Sequence, residues 1–416
     1  MRRGGPGRRP RRFVTARWFL LSVLTASYGA GAFGILGISP LSPALVEGFA
    51  LTRLQVAFIV PSVYLGGLFF SLPGGHLADR LGVRTSFLGG LALGAAGLIA
   101  GAWSPGFPAL LAALFAAGIG WSVVNPALGR AIIDLFPARE RGIAMGIKQM
   151  GLTLGGFVAA LVLPAIAAAL GWRAAIVTCG AVVALPVALA WRTLAPLGSG
   201  APPPDLHETL AAPSTSTWWW LGRPALVVLF ASGLVLGMVQ AAVLSYLPLY
   251  AVQGLGFDAI GAGLLVACSQ AGGAVSRLAL GAASDRWLTG RRSLWLAFTG
   301  AVGALSFAMY AAWLVTAPLL AGVLAFVSGV GAYGWVGIYF IVSAEVGGHR
   351  AAGLLSGVAF AAIVIGLLVG PTVFGVLLVR WDSYAVPWAV FAALAALVTA
   401  AAVAAGPAID RERNPS

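Results

Sequence analysis

Two long apolar runs are joined by Gly75-His76-Leu77-Ala78-Asp79-Arg80-Leu81-Gly82-Val83-Arg84, a charged stretch that opens with glycine. The beginning of this stretch recurs in the second half of the chain as Gly281-Ala282-Ala283-Ser284-Asp285-Arg286. The match extends upstream in register, because Gly66-Gly67 corresponds to Gly272-Gly273. The sequence therefore predicts two related halves, each with one copy of this stretch.

The composition predicts an integral membrane protein. Of the 416 residues, 60% are hydrophobic and only 9% are charged, whereas a soluble domain carries about 25% charged residues. Apolar stretches of about 20 residues, long enough to cross a bilayer core of about 30 Å, recur along the chain. We count twelve such stretches. Backbone polar groups inside a bilayer need internal partners, so we expect these stretches to be helices.

The apolar and polar segments predict five regions. They are a basic cytoplasmic tail at 1–17, a six-helix bundle at 18–194, a cytoplasmic linker at 195–223, a second six-helix bundle at 224–405 and a cytoplasmic tail at 406–416. The linker is rich in proline, serine and threonine and cannot build a core.

Local patterns predict where several helices begin and end. Thr52 precedes Gln55 by three residues, which is a capping-box pattern at the start of the second crossing. Gly171 is expected to turn the chain between the fifth and sixth crossings. Pro137 to Arg141 is expected to be an inner loop, and Arg350 is expected to begin the eleventh crossing.

The formal charge of +13 reflects membrane topology. Of the 25 lysines and arginines, only Arg53, Arg173 and Arg380 fall in predicted outer loops. This asymmetry follows the positive-inside rule and places both termini in the cytoplasm. We therefore expect a multi-pass protein of the cell membrane, in a bacterium the inner membrane. A nucleic-acid partner is not expected, because the basic residues form no aromatic-interleaved patch.

The chain resembles the major facilitator superfamily over about residues 13 to 407. The resemblance is carried by Gly75-x-Leu77-Ala78-Asp79-Arg80-x-Gly82, by its second copy, and by Asp134-Leu135-Phe136-Pro137 followed by Arg141-Gly142. It implies an all-α fold in which twelve transmembrane helices form two six-helix bundles related by a pseudo-twofold axis. It also implies transport of a small molecule by rocker-switch alternating access, with no enzymatic activity and no cofactor.

The same resemblance implies a cytoplasmic gate. Its charged side chains would hold the inner face closed by ion pairs, for example between Arg84 and Asp134. The alternative is that these loops only fix the topology. The predicted gate residues are Gly75, Asp79, Arg80, Arg84, Asp134, Arg141, Gly281, Asp285, Arg286 and Arg350.

Three cations lie within predicted crossings: Arg130, Lys148 and Arg277. Ionisable groups inside a membrane are costly and are functional candidates by default. Since no Asp or Glu lies comparably deep, we expect a cavity that attracts an anion. The alternative is that Arg130 pairs with Asp134, that Lys148 extends to the interface, and that Arg277 braces the inner gate near Glu345.

Polar side chains on helix faces complete the predicted substrate site, because buried amides need partners. The additional residues are Asn125, Gln240, Tyr246, Gln270 and Tyr339. Tyr28 and Tyr64 add phenols to the first two crossings. No metal cluster, phosphate-binding loop or nucleophile elbow is found, so neither a catalytic residue nor a metal ligand is predicted.

The sequence leaves three functions open. The first is secondary active or facilitative transport of a small organic anion, by a monomer in the lipid bilayer. Its coupling proton or ion is unspecified, because a proton could travel on the substrate in symport, or the mechanism could be uniport or exchange. The second is an efflux pump for hydrophobic compounds, and the third is a non-transporting membrane sensor or scaffold.

Overall fold

The structure is a computed structural model that describes residues 11–197, 219–287, 293–312 and 317–413. Within these ranges the chain is helical. The α-helices are α1 (Arg11–Leu36), α2 (Ser42–Phe49), α3 (Ile59–Ala102), α4 (Phe107–Leu135), α5 (Ala138–Thr193), α6 (Pro224–Gln253), α7 (Ala259–Trp287), α8 (Ser293–Ala311), α9 (Pro318–Tyr333), α10 (Val336–Trp381) and α11 (Ala385–Arg413). Short 3₁₀ turns occupy Gln55–Phe58, Ala195–Leu197 and Trp219–Gly222.

The helices are long and apolar enough to cross a membrane. Ten candidate spans occur among the described residues, and a shorter apolar helix occupies Gln55–Phe70. One of the ten, Ile143–Thr193, has 51 residues and breaks at Gly171, where φ is +86°. This left-handed conformation suits glycine, which lacks a Cβ. When the two parts of α5 are taken separately, the spans fit the twelve predicted crossings.

The charged stretch at 75–84 was expected to connect two helices, and its backbone is almost entirely helical. It lies within α3, where only Gly82 has a non-helical conformation, with φ 79° and ψ 160°. The direction of the chain therefore changes at a single glycine.

Two expected boundaries were wrong. The predicted loop at Pro137 to Arg141 is largely helix, because α5 begins at Ala138 directly after an extended Pro137. Proline lacks an N–H and favours a helix start, so this loop needs only two residues. The break expected before Arg350 is also missing, since α10 runs through this position from Val336 to Trp381. At the end of the chain, α11 continues to Arg413, through most of the predicted tail.

The predicted capping box is confirmed. The Gln55 backbone N–H donates to Thr52 Oγ1 at 3.3 Å, and the Thr52 backbone N–H donates to Gln55 Oε1 at 2.8 Å. These reciprocal bonds satisfy two donors that the start of a helix leaves unpaired.

The internal repeat is visible in how corresponding glycines pack. A Cβ added to Gly66 of α3 would lie only 2.2 Å from the Phe115 carbonyl oxygen of α4. A Cβ added to Gly272 of α7 would lie 1.9 Å from the Phe326 carbonyl oxygen of α9. Each glycine lets its helix touch the backbone of a neighbour. The two halves therefore repeat one helix contact, as a duplicated design requires.

One seam between the halves positions the candidate site. Helix α5 of the first half packs on α7 of the second half through a cluster that contains Ala160, Val266 and Ala267. Gly263 of α7 allows close approach, because a Cβ there would lie 2.5 Å from the Ala160 carbonyl oxygen. The seam holds polar residues of the two halves at fixed positions relative to each other.

Candidate functional site

Lys148 is buried where three helices of the first half meet. Its side chain on α5 is only 7% exposed. The Nζ group donates to Asn125 Oδ1 of α4, and it lies 5.3 Å from the centroid of the Tyr28 ring of α1. Asn125 is exposed, so the Lys148–Asn125 pair borders an accessible surface. Its ammonium group is therefore directed at α4 and α1, within the first half.

Glycines bring α1 and α5 together beside Lys148. A Cβ at Gly155 would lie 2.1 Å from the Gly29 carbonyl oxygen, and one at Gly151 would lie 2.6 Å from the Thr25 carbonyl oxygen. Backbone atoms cannot move aside as a flexible side chain can. This approach places the Lys148 ammonium over the Tyr28 ring, where the electron-rich face stabilises a cation.

Tyr28 is itself fixed by Trp121, which the sequence analysis did not select. The two rings are stacked, with centroids 4.9 Å apart and planes 9° from parallel. Trp121 precedes Asn125 by four residues on α4, so both point from the same face of that helix. This spacing was the signal that could have identified Trp121.

Arg277 brings a second cation to the same tyrosine from the second half. Its Nε–H donates to the Tyr333 carbonyl oxygen of α9 at 3.0 Å. The guanidinium interacts electrostatically with the hydroxyls of Tyr333, Tyr28 and Tyr64. The charge of Arg277 therefore acts on residues of α1 and α3 across the boundary between the halves.

Gln270 lies two turns from Arg277 on α7. It is 7% exposed, and its Nε2 lies beside α5, at 3.4 Å from the position of a Cβ on Gly156. Its amide therefore sits in the seam between the halves, on the same side of α7 as Arg277.

Arg130 has a carboxylate partner. Its Nε lies 3.1 Å from Asp134 Oδ1 and 3.2 Å from Oδ2, which is the pair at i and i+4 that the sequence analysis gave as the alternative. Asp134 is thus held by Arg130. Arg84, its other predicted partner, lies with its guanidinium 4.1 Å from the Trp191 ring centroid.

Of the remaining polar candidates, Tyr339 and Tyr246 have their contacts elsewhere. Tyr339 is fully buried, and its hydroxyl fills the space beside Gly233, where a Cβ would lie 2.1 Å away. Gln240 of α6 is half-buried. Tyr246 is fully buried, and its hydroxyl donates to the Arg53 carbonyl oxygen at 3.0 Å.

Tyr246 belongs to a group of contacts that joins the halves at the predicted outer end. We call Arg53, Tyr246, Asp382 and Tyr384 the outer cluster. Arg53 forms an ion pair with Asp382, and its guanidinium lies 5.9 Å from the Tyr384 ring centroid. The Ser39 hydroxyl adds a further link by donating to the Leu244 carbonyl oxygen. The sequence analysis had assigned Arg53 only a topological role.

Tyr384 supports this cluster as a hydrogen-bond donor. Its hydroxyl donates to Gln253 Oε1 at 2.9 Å. Burial raises the pKa of Tyr384, and the nearby charge of Arg53 partly opposes that rise. The hydroxyl therefore stays protonated at neutral pH and remains a hydrogen-bond donor to Gln253.

The family model described as Major Facilitator Superfamily matches residues 20–371. The chain belongs to this superfamily. It is a multi-pass, all-α membrane protein of a transporter family. A bacterial homologue of the human lysosomal transporter Spinster, solved in an inward-facing and unoccupied conformation, has the same fold. The two structures align with a TM-score of 0.73 and 16% sequence identity, over 98% of each chain.

Named relatives within the superfamily include transporters of organic acids. A probable sulfoacetate transporter, SauU of Cupriavidus necator, is 27% identical over 92% of each chain. The 3-(3-hydroxy-phenyl)propionate transporter of Escherichia coli is 29% identical over 80% of each chain. Two uncharacterised MFS-type transporters of Mycobacterium tuberculosis are 30% identical, and the match covers 65% of this chain but only 60% of theirs.

The superfamily motif supplied most of the predicted gate residues. The backbone at both copies is helical except at Gly82. The structure does not describe the side chains at most of the predicted gate positions. The residues concerned are Gly75, Asp79, Arg80, Gly281, Asp285, Arg286 and Arg350.

Arg141, a predicted gate residue whose side chain the structure describes, hydrogen-bonds to the end of α4. Its Nε–H donates to the Phe136 carbonyl oxygen at 3.1 Å, and its Nη2 donates to the Ile133 carbonyl oxygen at 3.2 Å. A helix leaves its last carbonyls unpaired, and a cation there also favours the helix dipole. Nearby, Arg17 of α1 and Glu140 of α5 form an ion pair of 2.7 Å that the sequence analysis did not predict.

Proposed function

We propose that this protein carries a small organic anion across the cell membrane, and that Lys148 and Arg277 hold the anion between the two halves. One observation carries the proposal. Lys148 of the first half lies over the Tyr28 ring, Arg277 of the second half interacts electrostatically with the same tyrosine, and among the described residues the groups that contact these cations are neutral. Arg130, which has Asp134 as its partner, is assigned to the inner end and not to the substrate.

The neutral partners matter because a membrane makes charge expensive. Placing one Lys or Arg at the centre of a membrane helix costs about 2.5–3.5 kcal/mol on insertion scales. An amide oxygen, a carbonyl oxygen and an aromatic face stabilise a cation without neutralising it. An anion that enters from solvent neutralises the charge, and for this reason the site favours anions over neutral or cationic compounds.

The relatives support the same class of substrate. Sulfoacetate and 3-(3-hydroxyphenyl)propionate, named as the substrates of two relatives, are both anions at neutral pH. A shared preference for organic acids agrees with a site whose embedded charges are positive.

Transport follows from rocking of the two halves about this site. The outer cluster joins the halves at one end through Arg53–Asp382 and through the Tyr246 hydroxyl. These contacts must separate before the outer end can open. An anion that contacts both Lys148 and Arg277 would couple the movements of the two halves, since each half contributes one of these cations.

The test is uptake by purified protein in liposomes. Labelled sulfoacetate and 3-(3-hydroxyphenyl)propionate serve as anionic probes, and ethidium serves as a hydrophobic cation. We expect uptake of at least one anion, reduced at least tenfold in Lys148→Gln and in Arg277→Gln. Arg192→Gln is the matched control, because Arg192 is an exposed cation near the end of α5.

Two outcomes would oppose the proposal. Anion uptake that survives both substitutions would remove the cations from the site. Movement of ethidium without anion uptake would favour the efflux pump.

A further inference from the structure

We propose that the site takes a dianion, a compact molecule with one anionic group for Lys148 and a second for Arg277. This proposal rests on the proposed function and specifies its substrate class. It follows from how each of the two cations is held.

Lys148 presents its charge on one side of Tyr28. The ammonium sits above the face of the ring, 5.3 Å from its centroid, and the Asn125 amide oxygen fixes its direction. An ammonium has three donors, so an oxygen acceptor from Asn125 leaves further N–H groups for a ligand. Because Asn125 is exposed, the ligand can approach along that side.

Arg277 presents its charge from the second half, and it interacts electrostatically with the same tyrosine. The Tyr333 carbonyl accepts from Nε, which anchors the guanidinium to α9 and orients its terminal nitrogens. Those nitrogens form the fork that matches the two oxygens of a carboxylate or sulfonate. The guanidinium also interacts electrostatically with Tyr64.

Tyr28 therefore interacts with both cations that the proposal assigns to the anion. It cannot move aside easily, because its ring is stacked on Trp121 and its side chain is 3% exposed. One small anionic group placed on Lys148 leaves the charge of Arg277 without an anionic partner. Two anionic groups joined by a short linker neutralise both cations, and they connect the two halves of the protein.

A comparison of ligands matched in length and shape tests this. The probes are succinate and its monoamide, succinamate, with glutarate and glutaramate as a longer pair. The readout is the melting temperature of the full-length protein in detergent, because a ligand that prefers the native state raises it. We expect a diacid to give the same shift as its monoamide at a concentration at least tenfold lower.

The substitutions then assign the charges. In Lys148→Gln, and separately in Arg277→Gln, only one of the two cations remains. We therefore expect the diacid and its monoamide to give equal shifts of the melting temperature at concentrations that differ less than twofold. Arg192→Gln should keep the full preference. A monodisperse elution profile in size-exclusion chromatography shows that each variant is folded, and either cation variant alone is sufficient for the test.

The two proposals fail in different ways. Equal shifts from diacid and monoamide would overturn the dianion proposal and leave anion transport in place. If neither acid raises the melting temperature, or if neutral succinamide does so equally well, both proposals are wrong. A diacid preference that persists in both cation variants would also overturn the inference, since the second charge would then be recognised elsewhere.

Discussion

The outer cluster gives a prediction about how the halves separate, and the perturbation is Tyr246→Phe. This change removes only the hydroxyl that donates to the Arg53 carbonyl oxygen and keeps the ring that stacks on Phe374 at 4.5 Å. A buried hydrogen bond contributes about 1 kcal/mol to stability. Since 1.4 kcal/mol is a factor of ten, its loss should raise the fraction of molecules open at the outer end about fivefold.

The ion pair in the same cluster should matter less. The side chains of Arg53 and Asp382 are 38% and 86% exposed, and exposed pairs contribute about 0.2–1 kcal/mol. Because Asp382 is almost fully exposed, we expect a contribution near the low end, about 0.4 kcal/mol, so that Asp382→Asn raises the open fraction only about twofold. The buried hydroxyl, rather than the visible salt bridge, is expected to dominate the closed state.

Thiol reactivity can measure the open fraction. A cysteine replaces Leu244, which is 3% exposed beside the Ser39 contact, in a protein whose Cys179 and Cys268 are changed to alanine. A membrane-impermeant maleimide added from outside should react about five times faster in Tyr246→Phe, in proportion to the open fraction.

The control is a matched tyrosine. Tyr310→Phe removes a hydroxyl that bonds Ser328 within the second half, and it should leave the rate unchanged. An unchanged rate in Tyr246→Phe, or an equal increase in Tyr310→Phe, would refute the reasoning.

Two further predictions concern the site itself. Gly155→Ala forces a Cβ against the Gly29 carbonyl oxygen and should destabilise the protein by about 1–3 kcal/mol. The control is Gly146→Ala on the same helix, which meets open space and should be neutral or stabilising. Thermal denaturation compares the two variants, and equal melting temperatures would contradict the close approach of the helices. Asn125→Asp gives Lys148 a carboxylate in place of an amide oxygen and should lower anion uptake in liposomes at least tenfold, because the carboxylate neutralises the charge of Lys148. Asn125→Ala should lower uptake less, and the opposite order would show that Lys148 does not act through its charge.

Features set by neighbouring residues were predictable from the sequence. The Thr52–Gln55 capping box and the turn at Gly171 depend on a few positions in one segment, and both occur where they were expected. The repeat of Gly66 at Gly272 predicted two related halves, and in the structure both glycines make the corresponding close helix contact. Membrane crossings follow from length and hydrophobicity alone, and for this reason the all-α fold could be read from the sequence.

Features set by tertiary contacts could not be predicted. Arg53 and Asp382 are 329 positions apart, and isolated charges in outer loops look like topology markers until the loops are placed together. The depth of Arg130, Lys148 and Arg277 was visible in the sequence, and so was Asp134 as an alternative partner of Arg130, but the partners of Lys148 and Arg277 were not. Only the packing shows that Arg130 meets a carboxylate while Lys148 and Arg277 meet neutral groups.

The central claim is that one anion is held by a cation from each half, and a bound structure tests it most directly. Cryo-electron microscopy of the protein saturated with bromosuccinate would locate both carboxylates, with the bromine marking the ligand. The account predicts density beside Tyr28, with carboxylate oxygens within about 4 Å of Lys148 Nζ and of the Arg277 guanidinium. Ligand density that contacts only one of these cations, or that lies at Arg130 instead, would contradict it.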